Sequence, residues 1–503
     1  MKQMSQQSNT IKLNTLDGRP VEFVDEVKGA GGMKDCYFSP DNTYAVLFFR
    51  DKQDAQSKER LIEITTRYKT NIFDREGGGY WKDLFCWPEG VVEWNGRLGM
   101  VTPFYQKHFF FDYGSKDSDS LGIKGREKEG KWFASATNQS RFLDSRERGD
   151  WRNYIKICIR ISRAVKRLHA AGLAHSDLSY KNVLVDPVTG SACIIDIDGL
   201  VVPNKFPPDV IGTPDFIAPE VVATQKLPRD DQNKKLPSIN TDRHALAVLI
   251  YMYLFYRHPL RGSKVHDMDP IHDEMLGMGS QAIFVENPTD TSNKIKLKDI
   301  KPSELPWKDT SKIPYTVAGP YLTPLFNAVF IDGLADPSKR PTADDWETAL
   351  VKTIDLIQPC QNTACEQKWY VFDNTSRPKC PFCGTSHSGK LPVLNLYSAR
   401  RAGSFMQDNH RLMVYSNQSL FMWHVNRLVT PNERLEEHNK KRVGYFVEVN
   451  DTWYLVNENM KDLRDVTKNI DYPPGSKVDL VEGLQLLLSR EEGGRLIQVQ
   501  MTN

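Results

Sequence analysis

Two things are nearly missing from this sequence: a net charge and a long apolar run. The 503 residues carry 66 Lys and Arg against 64 Asp and Glu, a formal net charge of +2, with no long block of like charge. That balance gives no reason to expect a nucleic acid or an anionic membrane as a partner. The first twenty residues lack the apolar core of a signal peptide, and the longest apolar run, residues 245–256, is too short to span a bilayer. We therefore expect a cytoplasmic protein without a membrane segment.

Cysteine is also scarce, and half of the eight cysteines stand together. The scattered ones lie in apolar or strand-like contexts, where buried free thiols are the usual state: Cys36, Cys86, Cys158 and Cys193. The others form C-x4-C, a fourteen-residue spacer and C-P-F-C-G: Cys360, Cys365, Cys380 and Cys383. Paired cysteines at this spacing are typical of a four-thiolate zinc site. We predict a structural Zn²⁺, because four cysteines leave no open position for chemistry.

Two short strings place metal-binding and proton-accepting side chains in an ordered set. Asp177 and Asn182 are five positions apart in His-Ser-Asp-Leu-Ser-Tyr-Lys-Asn, and Asp196 follows in Ile-Ile-Asp-Ile-Asp-Gly. Two strand-like stretches joined by the turn Asp-Pro-Val-Thr-Gly separate them, which predicts a hairpin. In phosphoryl transfer an Asp accepts the proton of the substrate hydroxyl, while an Asn five positions later and a further Asp hold magnesium. The strings predict a Mg-ATP-dependent kinase with these three residues in those roles.

Upstream stretches supply a candidate nucleotide site. Gly29, Gly31 and Gly32 lie in a glycine-rich turn between two strand-like stretches, where missing side chains let backbone amides approach phosphates. Residues 100–105 form a further strand-like stretch. The resemblance to protein kinases set out below implies that it is the hinge strand, whose backbone, including Val101 and Pro103, contacts the adenine of ATP.

Further motifs follow the two strings in a fixed order. Gly-Thr-Pro-Asp-Phe-Ile-Ala-Pro-Glu ends at Glu220, Asp242 precedes the apolar run, and Asp-Pro-Ser-Lys-Arg-Pro-Thr contains Arg340. Together with the catalytic loop, these motifs resemble those of eukaryotic-like protein kinases over residues 20–357. The resemblance implies a bilobal kinase fold in which Thr213 positions Asp177, Asp242 anchors the catalytic loop and Arg340 pairs with Glu220.

The first departure from that family is a missing lysine. Protein kinases carry a phosphate-clamping Lys on the strand that corresponds to residues 44–50, and none stands there. Lys34 is the predicted replacement, because the with-no-lysine kinases, whose glycine loop looks similar, place theirs at this position. Arg50 and Lys52 remain alternatives. The predicted helix partner of the lysine is Glu63, with Glu59 one turn away.

Three further departures surround the catalytic residues. Ser176 replaces the Arg that grips a phosphorylated activation loop in many kinases, and residues 197–211 contain no Ser, Thr or Tyr. We therefore predict no activation by phosphorylation in that stretch. Ser179 replaces a Lys that neutralises the transferring phosphoryl group; Lys181 either takes over that role or is an exposed loop lysine. Asp198, in place of a glycine, is either a second metal ligand or a turn-capping carboxylate.

The predicted fold class is α+β, with a bilobal protein-kinase-like domain followed by a zinc ribbon and a small β-sandwich. Residues 1–19 are a predicted tail, and the kinase-like domain takes residues 20–357. Within it the small lobe runs to about 105, a polar stretch at 106–150 is predicted to be a mobile surface insertion, and the large lobe follows at 151–357. The zinc ribbon is assigned to 358–388 and the sandwich to 391–503, from several short strands separated by turns.

The last segment resembles forkhead-associated domains, which recognise phosphothreonine, but it lacks their Gly-Arg and Ser-x-x-His signatures. A structural or docking module is therefore expected rather than a phosphopeptide reader. Kinase, zinc ribbon and forkhead-like sandwich in this order resemble bacterial kinases of the tellurite-resistance type, which are encoded beside a von Willebrand A protein and a metal-dependent protein phosphatase. That resemblance implies these two proteins as partners, in addition to a protein substrate.

Three functions remain open from the sequence. The first is a serine/threonine protein kinase. The second is a small-molecule kinase of the choline or aminoglycoside type, against which Glu220 and Arg340 argue. The third is a pseudokinase or nucleotide-sensing scaffold, suggested by the missing lysine and opposed by the presence of Asp177, Asn182 and Asp196.

Overall fold

The computed structural model describes residues 9–30, 33–74, 78–202, 205–208, 211–401, 404–432 and 434–502. The chain groups into two compact units. The first draws on Met1–Arg148, Ile157–Lys308 and Phe326–Asp344; the second draws on Gly149–Lys156, Asp309–Leu325 and Asp345–Asn503. Among the described residues, no helix combines the length and the apolarity needed to cross a bilayer.

The first unit begins with an N-terminal hairpin and a five-stranded antiparallel sheet in the order β3-β4-β5-β7-β6. The strands are β1 Thr10–Asn14, β2 Pro20–Val24, β3 Gly29–Ala30, β4 Lys34–Phe38, β5 Tyr44–Phe49, β6 Gly90–Trp94 and β7 Arg97–Pro103. Residues 10–14 of the predicted N-terminal tail thus form a strand of this hairpin. Ile11 and Leu13 of β1 pack against a buried cluster that includes Phe23 and Phe48, so apolar burial holds the hairpin in place.

Three helices follow β5, and the first of them packs on the opposite face of this sheet. They are α1 Ala55–Glu63, α2 Lys69–Phe73 and α3 Gly78–Lys82, with a π-helical turn at Ile64–Tyr68 between the first two. The Asp54 carboxylate caps α1 by accepting a 2.7 Å hydrogen bond from the Ser57 amide. Leu61 of α1 packs with Phe49 and Met100. Phe48 and Phe49 are neighbours on β5, and because successive strand residues face opposite sides, α1 and the hairpin cover different faces.

Residues 106–150, predicted to be a mobile insertion, contain α4 Lys116–Asp119 and several buried apolar side chains. The apolar side chains of Phe109, Phe111 and Phe133 are buried. The buried Lys128 ammonium lies 3.0 Å from Glu147 and 2.9 Å from Asp186. Part of the charge of this polar stretch is therefore paired in the interior rather than exposed to water.

The rest of the first unit is mainly helical, and some of its helices continue into the second unit. The helices are α5 Trp151–Ala170, α6 Pro219–Thr224, α7 Ile239–Phe255, α8 Pro270–Gly277, α9 Thr323–Asn327, α10 Gly333–Ala335 and α11 Ala343–Asp355. Strands β8 Val183–Asp186 and β9 Ser191–Ile194 form the predicted hairpin, with Val183 opposite Ile194. Helix α7 is buried along nearly its whole length, as expected for the apolar run at 245–256.

The second unit contains the cysteine cluster and two antiparallel sheets. Strands β10 Ile357–Pro359 and β11 Trp369–Val371 pair beside the cysteines. A six-stranded sheet has the order β13-β12-β21-β20-β17-β18, and a four-stranded sheet has the order β14-β15-β16-β19. The bounds are β12 Pro392–Arg401, β13 Ser404–Met413, β14 Ser419–Phe421, α12 Met422–Val425, β15 Arg442–Val449, β16 Thr452–Asn457, β17 Arg464–Asp465, β18 Ile470–Asp471, β19 Lys477–Asp479, β20 Gln485–Leu487 and β21 Arg495–Met501.

Most of α11, from Asp345 onward, groups with the second unit, whereas the predicted kinase-like domain runs to residue 357. The Asp355 carboxylate, at the end of α11, lies 2.7 Å from His410 Nε2 and 3.3 Å from His424 Nε2. Burial disfavours its charge, but the two imidazoles outweigh burial and hold the pKa of Asp355 below its usual range. A buried carboxylate needs such partners, and both partners belong to the C-terminal sheet region.

Candidate active site and metal centre

Three hydrogen bonds orient the carboxylate of Asp177. Its Oδ1 accepts bonds from the Thr213 amide at 2.7 Å and from the Thr213 hydroxyl at 2.8 Å. Its Oδ2 accepts a 2.9 Å bond from Asn182 Nδ2, which also donates to the Asp177 carbonyl at 2.8 Å. Thr213 therefore lies where the resemblance placed it. A carboxylate held at both oxygens is well positioned to accept a proton from a bound hydroxyl.

The backbone leading to Asp177 is fixed by Asp242 of α7. The Asp242 carboxylate accepts bonds from the His175 amide at 2.7 Å and from the Ser176 amide at 3.1 Å. Ser176 has a positive φ of 68°, a conformation that costs energy for a residue other than glycine. The two bonds from the loop to a buried carboxylate stabilise that conformation, so Asp242 anchors the loop as expected.

The β8–β9 hairpin brings Asn182 and Asp196 to the same end of the two strands. The Ile195 amide donates a 3.0 Å bond to the Asn182 carbonyl, which sets the residue before Asp196 beside Asn182. Because the Asn182 amide nitrogen is bonded to Asp177, the amide oxygen is the atom left to bind a cation. The Asp196 side chain is 51% exposed. A carboxylate and an amide oxygen are ligands that Mg²⁺ accepts, so these residues fit the predicted magnesium site.

Lys34 reaches the same place from the small sheet. Lys34 pairs with Phe49 across β4 and β5, and its ammonium lies 2.9 Å from Asp196 Oδ1 and 2.7 Å from Asp198 Oδ1. Burial disfavours the charged ammonium, but the charges of Asp198 and Asp196 outweigh burial and raise the pKa of Lys34 to about 12. Lys34 is therefore a cation at neutral pH, positioned beside the candidate metal ligand.

The two alternative cations lie elsewhere. Arg50 Nε donates a 2.7 Å bond to Asp35 Oδ1, and Asp35 also pairs with Arg97 at 2.7 Å. Lys52 is exposed. Lys34 is thus the better supported of the three candidates for the missing lysine.

Two predicted nucleotide contacts are not supported by the geometry. Glu63 forms an ion pair with Lys205, while the acidic partners of Lys34 are Asp196 and Asp198. Val101 lies inside the sheet: its carbonyl accepts a 2.7 Å bond from the Glu89 amide, and its buried side chain belongs to the cluster under the N-terminal hairpin. The hinge backbone beyond β7 is a better candidate to contact an adenine.

The other predicted site residues lie as follows. Gly29 is in β3, and Gly31 and Gly32 lie outside the described residues. Pro103 ends β7. Lys181 is exposed in the catalytic loop. Their roles stay predictions.

Two further residues, Ser179 and Asp198, make contacts that the sequence did not predict. Ser179 is buried, and its hydroxyl lies 3.2 Å from the Thr213 hydroxyl, so it belongs to the bonding around Asp177. Asp198 was expected to bind metal or cap a turn, and instead makes the shorter of the two ion pairs to Lys34. The sequence did contain a signal for this contact. The Asp-x-Asp pair supplies a second carboxylate in a chain whose candidate phosphate-binding lysine is at an unusual position.

Arg340 and Glu220 form the buried pair that the resemblance implies. Two parallel bonds of 2.8 and 2.7 Å join the guanidinium to the carboxylate. Arg340 also donates to the carbonyls of Gly333 and Asn240. The Arg340 side chain is fully buried and that of Glu220 is 21% exposed. The pair fixes the start of α6, directly after the segment that contains Thr213.

Replacing Arg340 by Ala is expected to lower the free energy of unfolding by about 3–5 kcal/mol, because it leaves Glu220 without its charge partner in a largely buried position. The change in the free energy of unfolding is measured by urea denaturation of the full chain, monitored by circular dichroism. Lys339→Ala is the matched control, since Lys339 is adjacent and exposed. Equal denaturation midpoints for the two variants would contradict a structural role for the pair.

The four clustered cysteines converge in the second unit. Their Sγ atoms all lie within 4.8 Å of one another, with Cys360 and Cys383 at 3.5 Å and Cys365 and Cys380 at 3.9 Å. Zn–S bonds of about 2.3 Å in a tetrahedron give sulfur–sulfur distances of roughly 3.8 Å. The cluster is therefore a possible four-cysteine metal site.

The environment of Cys383 also suits a thiolate ligand. Burial disfavours ionisation, but hydrogen bonding with the Thr385 hydroxyl and amide and with the thiols of Cys360 and Cys380 outweighs burial and lowers the pKa of Cys383 to about 6. Gly384 completes the knuckle at a positive φ of 77°, which glycine adopts without strain.

Comparison with known proteins identifies one part of the chain. Residues 132–346 match the protein kinase domain family. The match includes Asp177, Asn182, Asp196 and Arg340, whereas Lys34 lies outside it. It supports a protein kinase with phosphotransfer activity, and such a domain implies ATP and a divalent metal. No curated protein matches the chain.

Proposed function

We propose that this protein transfers the γ-phosphate of Mg-ATP to serine or threonine hydroxyls of protein substrates. The observation that carries the proposal is the orientation of the Asp177 carboxylate by Thr213 and Asn182, next to the candidate metal ligand Asp196. The family match at 132–346 supports the same class of reaction.

In the proposed reaction, the substrate hydroxyl oxygen bonds to the γ-phosphorus while the bond to the oxygen bridging the β- and γ-phosphates breaks. ADP leaves with that oxygen, and the hydroxyl proton passes to Asp177. Asp177 thus serves as the proton acceptor and orients the nucleophile. The bonds from Thr213 hold its Oδ1 in place during this step.

The remaining site residues bind and neutralise the nucleotide. Mg²⁺ would be held by Asn182 and Asp196 and would offset the negative charge that develops on the phosphates. Lys34 supplies a positive charge beside Asp196, and Lys181 is proposed to face the transferring group from the catalytic loop. The glycine turn that contains Gly29 is proposed to cover the phosphates.

Transfer of labelled γ-phosphate tests the proposal. Purified full-length protein is incubated with radiolabelled Mg-ATP and either protein acceptors or small aminoalcohol and aminoglycoside acceptors. Label on serine or threonine of a protein supports the proposal. Label only on small molecules would favour the small-molecule kinase, and nucleotide binding without any transfer would favour the scaffold.

We also propose that the enzyme needs no phosphate in residues 197–211. The Ser176 hydroxyl, at the position of the usual phosphate-binding Arg, donates a 3.4 Å bond to the Gly199 carbonyl. Residues 197–211 contain no side chain that can be phosphorylated, and the Arg that would bind such a phosphate is absent. Phosphorylation of this segment therefore cannot order it.

Protein treated with a broad-specificity phosphatase, and shown by intact mass to carry no phosphate, is expected to keep full activity. Untreated protein and protein incubated with heat-inactivated phosphatase are the controls. A strict requirement for phosphate mapped to residues 197–211 would contradict this prediction.

The C-terminal unit is proposed to act through binding. We propose that the four cysteines hold structural Zn²⁺ and that the two sheets form a forkhead-associated-like sandwich that serves as a docking module. If the resemblance to tellurite-resistance-type bacterial kinases holds, a von Willebrand A protein and a metal-dependent protein phosphatase are the candidate partners in a bacterial cytoplasm.

A further inference from the structure

The acidic partner of Lys34 lies on the metal-binding loop rather than on helix α1. Protein kinases pair the phosphate-clamping lysine with a helix glutamate, and Glu63 was the predicted equivalent. Here Lys34 Nζ lies 2.7 Å from Asp198 and 2.9 Å from Asp196. We propose that Asp198 is the positioning residue that holds Lys34 in place for the nucleotide, a role that in other kinases belongs to the helix.

The two carboxylates differ in exposure, which separates their roles. The Asp198 side chain is 10% exposed, against 51% for Asp196. A nearly buried carboxylate needs a permanent cationic partner, and Lys34, itself 14% exposed, is that partner. Asp196 is open to the cleft and can turn to Mg²⁺ while Asp198 keeps the ammonium in position.

The backbone of the loop explains how both carboxylates reach one ammonium. Asp196 has φ 60° and ψ 50°, a left-handed conformation, and a 3₁₀ turn follows at Ile197–Gly199. The side chain of Ile197, between the two acids, is buried and anchors the turn. In a strand, residues 196 and 198 would share a face well apart along the chain; the turn brings their carboxylates together on Lys34.

Glu63 is engaged elsewhere, with a segment that follows this loop. Lys205 pairs with Glu63, and with Glu59 at 3.4 Å. Arg60 donates a 2.8 Å bond to the Pro207 carbonyl, and Gln56 contacts the Lys205 carbonyl at 3.4 Å. Helix α1 therefore directs its polar face to residues 205–208.

The inference rests on the proposed function, in which Lys34 binds the phosphates, so its test needs one readout that does not depend on activity. Without nucleotide, Lys34 is labelled with N-hydroxysuccinimide acetate, and the extent of acetylation at Lys34 is mapped by mass spectrometry. Asp198→Asn is expected to raise this labelling severalfold, because the ammonium loses its closest carboxylate. Asp198→Glu keeps the charge and is expected to recover most of the protection.

The kinetic readout uses the same variants in the full chain. Residues that orient metal-ligating side chains typically contribute about 10- to 100-fold to affinity or activity. Asp198 orients Lys34 in a comparable way, so Asp198→Asn is expected to lower kcat/KM for Mg-ATP by about the same factor. Asp198→Glu is expected to restore part of the loss. Asp299 is exposed, so Asp299→Asn is the control for the loss of a carboxylate. Lys34→Met gives the kcat/KM expected when the phosphate-binding lysine is absent.

The ranking of Glu63→Gln and Asp198→Asn decides the inference. Stronger labelling of Lys34 and a larger loss of kcat/KM in Asp198→Asn support it. The opposite ranking, in which the loss of kcat/KM in Glu63→Gln is close to that in Lys34→Met, would overturn the inference while leaving the proposed kinase activity intact. If the wild type transfers no phosphate, the proposed function fails, and the labelling ranking still decides which acid holds Lys34.

Discussion

Replacing Asp177 by Asn is expected to abolish most phosphoryl transfer, with a fall in kcat of about 100- to 10,000-fold, the usual contribution of a positioned proton acceptor. The Asn side chain cannot accept the proton of the substrate hydroxyl. It also turns an amide nitrogen toward either Thr213 or Asn182, both of which donate hydrogen bonds to this carboxylate. Initial rates of labelled phosphate transfer, at saturating Mg-ATP, measure the effect.

Nucleotide affinity separates this chemical role from a collapse of the site. Asp177→Asn and Asp177→Ala are both expected to bind a fluorescent ATP analogue about as tightly as the wild type, because Asp177 faces the hydroxyl rather than the nucleotide. Thr213→Ser, which keeps the hydroxyl bonded to Asp177, is expected to retain most activity, whereas Thr213→Val is expected to lose part of it. Transfer by Asp177→Asn at a rate near that of the wild type would refute the assignment.

The placement of the catalytic-loop residues could be predicted from the sequence because it depends on local spacing, while their roles stay predictions. The interval between Asp177 and Asn182, and the turn inside the β8–β9 hairpin, set their geometry within one short stretch of chain. Long-range pairs were predictable only where the resemblance supplied both partners, as with Glu220 and Arg340.

Other contacts could not be predicted, because spacing along the sequence does not encode them. The helix register of α1 makes Glu63 a candidate partner of the lysine, but the actual partner of Glu63 depends on where Lys205 lies. The direction of Asp198 depends on the left-handed backbone at Asp196, which no hydrophobic pattern reveals. The strand at residues 10–14 and the buried side chains within 106–150 were not predicted for a related reason: both are stabilised by partners distant in sequence, including the Lys128 ion pairs.

Replacing Cys365 by Ser is expected to remove bound zinc from the purified full-length protein. Structural zinc sites bind with apparent free energies of about 10–16 kcal/mol at pH 7 in small peptides, so losing one of four thiolates weakens the site by a large factor. We expect one equivalent of zinc in the wild type, measured by plasma mass spectrometry after dialysis, and almost none in Cys365→Ser. Cys36→Ser, at a distant free cysteine, is the control and is expected to keep its zinc.

Loss of zinc is also expected to change the environment of Trp151, at the start of α5 and within the second unit. The ring of Phe382, between Cys380 and Cys383, lies 5.3 Å from the ring of Trp151, and the Trp151 amide donates a 3.1 Å bond to the Gln367 carbonyl. Because the proposed zinc would hold the knuckle that carries Phe382, its removal with a chelator is expected to expose Trp151 and shift the fluorescence of the wild type to longer wavelength. In Trp151→Phe, the same chelator treatment is expected to give a smaller shift. Full zinc retention by Cys365→Ser would show that the cysteines do not act as one tetrahedral site, whatever the fluorescence.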